Sequence, residues 1–147
     1  MSDVIFKAKA TLIEGLTTQV ESRGFSYILD EPPSLGGNDK GMNPVEALLS
    51  ALGACKCIVA RAFAENHGIN LKSIHIDLDG VLDPDGFLGK NQNAKIGFSK
   101  ITTKFYIDAD NTEAEIRKYV EFVEKTCPVM DTITNTPDFA TEVHVGK

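Results

Sequence analysis

Asn43-Pro44-Val45-Glu46-Ala47-Leu48-Leu49-Ser50-Ala51-Leu52-Gly53-Ala54-Cys55, running on to Asn66, is the stretch around which the rest of the chain must be built. Asn43 has the side-chain acceptor that a helix N-cap requires, and Pro44 suits the first turn, where its missing N–H is not needed. Val45, Leu48, Leu49, Leu52, Cys55, Val59 and Phe63 then recur at three- and four-residue steps, which predicts a helix from 44 to about 66, ended by His67-Gly68. Ala47, Ala51, Ala54 and Ala62 widen the apolar surface until it wraps most of the helix. A helix apolar nearly all round is buried on several sides, so the pattern places it between sheets or at an oligomer interface.

Upstream, residues 4–13 partly alternate apolar and polar, as a half-buried strand does. Glu14-Gly15 is a turn, Thr17 to Ser22 a second strand, Arg23-Gly24 another turn, and Phe25 to Leu29 a third strand. Short sequential strands with tight turns predict an antiparallel meander. Two prolines and three glycines between Asp30 and Met42 make that stretch a loop, long enough to act as a lid. Downstream, Ile74 to Val81 alternates cleanly, Asp83-Pro84-Asp85-Gly86 reads as a turn, and Phe98 to Ile107 returns as a strand. Thr112 with Glu115 forms a capping box ahead of the apolar stripe Ile116, Tyr119, Val120 and Val123. Cys127 and Pro128 read as N-cap and N1 of a short helix through about Thr134, and Thr141 to Val145 as a short last strand. The expected class is α+β, with two main helices packed on antiparallel sheet.

At 147 residues and 42% apolar content, with no repeat or polar linker, the expectation is a single domain over residues 1–147. Fifteen basic against 21 acidic residues give a net charge of −6, which argues against nucleic-acid or anionic-membrane partners. Glu46, Ser50, Lys56 and Arg61 interrupt the long helix well short of a membrane span, and the N-terminus lacks the pattern of a signal peptide. Three cysteines without an export signal predict free thiols in the cytoplasm. His67, His75 and His144 are scattered, so no metal site is expected, and neither glycine-rich phosphate-binding pattern occurs.

Chemistry rests on Cys55 and Cys127, 72 positions apart. A second thiol within reach turns an oxidised thiolate into a recoverable disulfide, the chemistry of thiol peroxidases. Local electrostatics favours Cys127 as the thiolate, because a helix N-terminus offers unpaired N–H groups, whereas an apolar helical setting raises the pKa of Cys55. Cys57 is rotated about 200° from Cys55 along the helix and reads as a buried structural thiol.

The Asn43–Cys55 segment, followed by Cys127-Pro128-Val129, resembles the OsmC/Ohr family of organic-hydroperoxide reductases over nearly the whole chain. The resemblance implies the OsmC-like fold in an intertwined homodimer, with Cys55 as the attacking thiol and Cys127 as the resolving one. It further implies an organic hydroperoxide substrate, an external dithiol reductant and no cofactor. The family also uses an arginine to stabilise the thiolate and a glutamate to position it, at a dimer interface. Glu46 matches the acid of those branches that carry it two places after the Asn-Pro pair, and Arg23 lies in the ribbon that supplies the arginine in some members. Arg61 and Arg117 are the remaining arginines, and Lys40 is an alternative cation. The competing reading is a non-catalytic member that binds a small apolar molecule or acts as a stress-related interaction module.

Overall fold

A computed structural model describes residues 2–146 and has the expected α+β composition. The chain divides into two compact units, with the division between Ser50 and Ala51 inside the long helix.

In the first unit, β1 (Lys9–Glu14), β2 (Thr17–Ser22) and β3 (Phe25–Leu29) form the expected antiparallel meander in sequence order. The first strand begins later than its alternation suggests, leaving Val4, Ile5 and Phe6 outside it and 72%, 80% and 88% exposed. Arg23 and Gly24 turn β2 into β3 with φ of 52° and 87°, the left-handed pair that matches the twist of a tight hairpin. The loop after β3 is pinned. Asp30, 2% exposed, accepts the Thr17 hydroxyl at 2.7 Å and the backbone N–H groups of Glu31, Asn38 and Lys40 at 2.8, 3.3 and 3.3 Å. The Thr17 bond leads the effects that hold its carboxyl below the usual range, and burial opposes it. Gly37 completes this clasp. A Cβ there would lie 1.9 Å from the carbonyl oxygen of Glu31, so the loop closes only on glycine.

Helix α1 (Pro44–Phe63) opens on a reciprocal cap. The Asn43 side chain accepts from the Glu46 N–H at 2.8 Å, and the Glu46 carboxylate accepts from the Asn43 N–H at 2.9 Å. The helix is buried along one stripe, Leu52, Gly53, Lys56, Val59 and Ala60, rather than on several sides. Val45, Leu48, Phe63 and Ile58 remain 36–67% exposed. A 3-10 turn, Glu65–His67, follows, closed by Gly68 at φ 68°.

In the second unit, β4 (Leu71–Val81) and β5 (Lys100–Ala109) pair antiparallel from Leu71↔Ala109 to Val81↔Lys100. The Asp83–Gly86 segment, expected as a turn, forms a one-turn helix, α2 (Pro84–Phe87), because the Asp83 side chain caps it. Helix α3 (Glu113–Thr126) carries the expected capping box, and α4 (Pro128–Thr134) has the expected bounds. Thr141–Val145 is not a strand, having no partner to pair with among the described residues. The core of this unit joins Val59, Ala60 and Ala64 to Ile69, Leu71, Tyr119 and Val123.

Candidate active site

Two bridges tie α1 to α3, and the thiols lie beyond them in the same order. The Tyr119 hydroxyl donates to the Ala60 carbonyl at 2.6 Å, the Lys56 ammonium pairs with the Glu124 carboxylate, and the Cys55 and Cys127 thiols are neighbours close enough for Cys55 to raise the Cys127 pKa. Partners step down α1 as they step up α3, so the two helices run antiparallel. The thiol pair is the last rung. Both cysteines are free thiols; Cys127 is completely buried and Cys55 partly so.

Cys127 ends α3 and caps α4, its sulfur accepting the Met130 N–H at 3.4 Å. The N–H groups of Met130 and Val129 pull its pKa down, as a helix N-terminus should. Burial is the larger effect, the neighbouring Cys55 adds to it, and the net result is a thiol pushed above its ordinary value. The local-electrostatics expectation that Cys127 is the readier thiolate is therefore corrected. The sequence showed the helix end; it could not show that the sulfur there is sealed from water.

Lys56 is the residue that sequence reasoning missed, having been read as a polar interruption of the helix. It is 1% exposed, sits 5.9 Å from the centroid of the Phe105 ring, and meets Glu124, which is 31% exposed. Its register was the available signal, since 56 falls on the same stripe as 52, 59 and 60. Cys57 is half-buried rather than buried, and burial raises its thiol pKa. His67, read as a helix-end charge, also packs its ring 4.0 Å from that of Phe122.

Arg23 and Glu46 belong to the first unit, and each is engaged locally. The Arg23 guanidinium lies 5.2 Å from the centroid of the Phe25 ring, and Glu46 holds the α1 cap. Lys40 contributes its backbone N–H to the Asp30 clasp. Arg61 donates to the Leu71 carbonyl at 2.9 Å, and Arg117 pairs with Glu113 on the surface at 2.8 Å. Beside the thiols, Leu52, Phe98, Ile101, Met130 and Ile133 line much of a largely apolar cleft of about 260 Å³. Among the described residues, no three His, Cys, Asp or Glu side chains cluster as metal ligands, and no helix is long and apolar enough to cross a membrane.

The OsmC-like protein family model matches residues 37–142, so this chain belongs to that family. A hydroperoxide reductase of Mycoplasma genitalium is 28% identical over 143 residues, covering 97% of this chain and 96% of that protein. Its counterpart in Mycoplasma pneumoniae is 27% identical over 146 residues, with coverage of 97% and 96%. The crystal structure of an OsmC-like protein from Mycoplasma pneumoniae superposes with a TM-score of 0.80 at 26% identity, covering 92% of this chain and 91% of that one.

Proposed function

We propose that this protein is a thiol-dependent peroxidase that reduces organic hydroperoxides. The observation that carries the reading is that the Cys55 and Cys127 thiols are neighbours at the end of the α1–α3 ladder. The Cys55 thiolate attacks one peroxide oxygen and breaks the O–O bond. The departing alkoxide takes a proton to become an alcohol, and Cys55 is left as a sulfenic acid. Cys127 then attacks that sulfur, the Cys55–Cys127 disulfide forms, and water leaves. An external dithiol returns both cysteines to thiols and is itself oxidised to a disulfide. No metal or organic cofactor enters these steps.

Two features support this division of roles. The partly exposed Cys55 can meet a substrate, whereas the sealed, raised-pKa Cys127 suits a thiol that waits for a partner already oxidised. The apolar cleft beside Met130 suits the organic part of the hydroperoxide. Both Mycoplasma relatives are named hydroperoxide reductases, which favours the same activity here. We assign Arg23 and Glu46 the cationic and orienting roles on the family resemblance alone. The working unit on this reading is a homodimer in the cytoplasm. Its support is the family resemblance, together with the exposed apolar run Val4, Ile5 and Phe6.

The test is consumption of cumene hydroperoxide with dithiothreitol as reductant. Wild type is expected to turn over, Cys55→Ser to be inactive, and Cys127→Ser to react with its first peroxide but not to cycle through the internal disulfide. Activity retained in Cys55→Ser, or wild-type consumption no faster than dithiothreitol alone, overturns the proposal.

A further inference from the structure

Lys56 has no part in the peroxide chemistry described above, yet it is among the largest fully buried side chains of the protein. A buried ammonium is costly to desolvate and persists only where a partner compensates it. Here the partner is Glu124, and the places of the two residues in the sequence matter. Lys56 directly follows Cys55 on α1, and Glu124 lies three residues before Cys127 on α3. The Cys127 N–H bonds to the Val123 carbonyl at 3.2 Å, so the last turn of α3 leads directly from the carboxylate to the sulfur. The ion pair is therefore the rung adjacent to the thiols. The next rung, Tyr119 to Ala60, fixes the same two helices about one turn further along.

We propose that the Lys56–Glu124 pair is a positioning device that sets the separation of α1 and α3 at the thiols and so governs the rate at which the Cys55–Cys127 disulfide closes. The inference rests on the peroxidase reading above. Disulfide geometry demands it, because two Cα atoms must lie within roughly 4.4–6.8 Å with their Cβ vectors converging, a window that a loose helix pair leaves often. A charge pair is a sharper constraint than apolar packing, which tolerates sliding, whereas an ammonium held among apolar groups loses its compensation if α3 moves away. Lys56 touches neither peroxide nor sulfur in this account. Its effect passes through the position of Cys127.

The experiment separates the two chemical steps by stopped flow with cumene hydroperoxide. Sulfenic acid formation is read in a Cys127→Ser background, and closure is read as the second phase in the two-cysteine protein. Lys56→Met/Glu124→Leu, which removes both charges and keeps apolar bulk, is expected to slow closure by about tenfold to a hundredfold, the scale of an ångström-sized misplacement. Sulfenic acid formation should be unchanged. Lys56→Arg, which keeps the charge pair, should restore most of the closure rate. Should the double variant fold poorly, Glu124→Gln is read instead and is expected to slow closure in the same sense. Closure at the wild-type rate in a folded variant overturns the inference while leaving the peroxidase reading intact. Slowed attack in the Cys127→Ser background also overturns it, because Lys56 would then act on the reacting sulfur itself. Wild type that forms a sulfenic acid but never a disulfide defeats the peroxidase cycle instead.

Discussion

Truncating either partner of the Lys56–Glu124 pair removes the same ion pair, yet the two substitutions leave very different remains. Glu124→Ala leaves an ammonium that is 1% exposed without its carboxylate. Breaking a fully buried pair from one side costs about 3–5 kcal/mol. Glu124 is 31% exposed, so its removal lets water approach and the figure falls to about 2 kcal/mol. Lys56→Met leaves a carboxylate that can turn to solvent and refills the buried stem with apolar atoms, at a cost of about 1 kcal/mol or less. Replacing both, as Lys56→Met/Glu124→Leu, should be close to neutral. With a urea slope of about 2 kcal/mol per molar, Glu124→Ala lowers the unfolding midpoint by about 1 M and Lys56→Met by less than about 0.5 M. Urea titration followed by circular dichroism measures both. The reasoning fails if Lys56→Met costs as much as Glu124→Ala, or if the double variant is the least stable of the three.

Because the folded protein raises the Cys127 pKa, that thiol contributes stability fully present below the ordinary thiol value and lost as pH rises through the folded one. Urea midpoints should therefore fall more between neutral and strongly alkaline pH in wild type than in Cys127→Ser, and the rate of disulfide closure should keep rising with pH past the ordinary thiol value. Asp30 has the opposite sign: its lowered pKa gives stability present above the ordinary carboxyl value and lost as pH falls through the folded one. Asp30→Asn should loosen the 31–42 loop at neutral pH, seen as faster trypsin cleavage after Lys40. At α3, Thr112→Ala removes the N-cap acceptor of Glu115 and should cost about 1 kcal/mol. A melting temperature about 3 °C lower on thermal unfolding is the expected readout.

Much of the architecture was legible because the signals were local. Pro44 behind Asn43, Thr112 with Glu115, and Pro128 behind Cys127 each mark a helix start by backbone chemistry confined to one turn, and all three helices begin there. Arg23-Gly24 marked the hairpin for the same reason. The readings that failed depended on what lies across space. Residues 4–8 and 141–145 have strand-like composition, but a strand needs an edge to pair with, and composition does not supply one. The apolar girth of α1 suggested burial between sheets or at an oligomer interface, and within the single chain packing covers one stripe, which sets aside the first alternative only. At the site, the family motif pointed to Cys55 and Cys127, and the two thiols are neighbours. The sealing of Cys127 and the partner of Lys56 were not legible, because both depend on the approach of α3 from more than sixty residues away, although the register of Lys56 on the buried stripe was. A lysine on a helix looks solvated until its partner is seen.

A peptide map of the full chain after stoichiometric cumene hydroperoxide, with free thiols alkylated before digestion, shows whether Cys55 and Cys127 form the working disulfide. A peptide in which Cys55 is joined to Cys127 is expected, together with an alkylated Cys57. Cys55 recovered as a higher oxide with Cys127 still alkylated, or a bridge that runs through Cys57, contradicts that pairing.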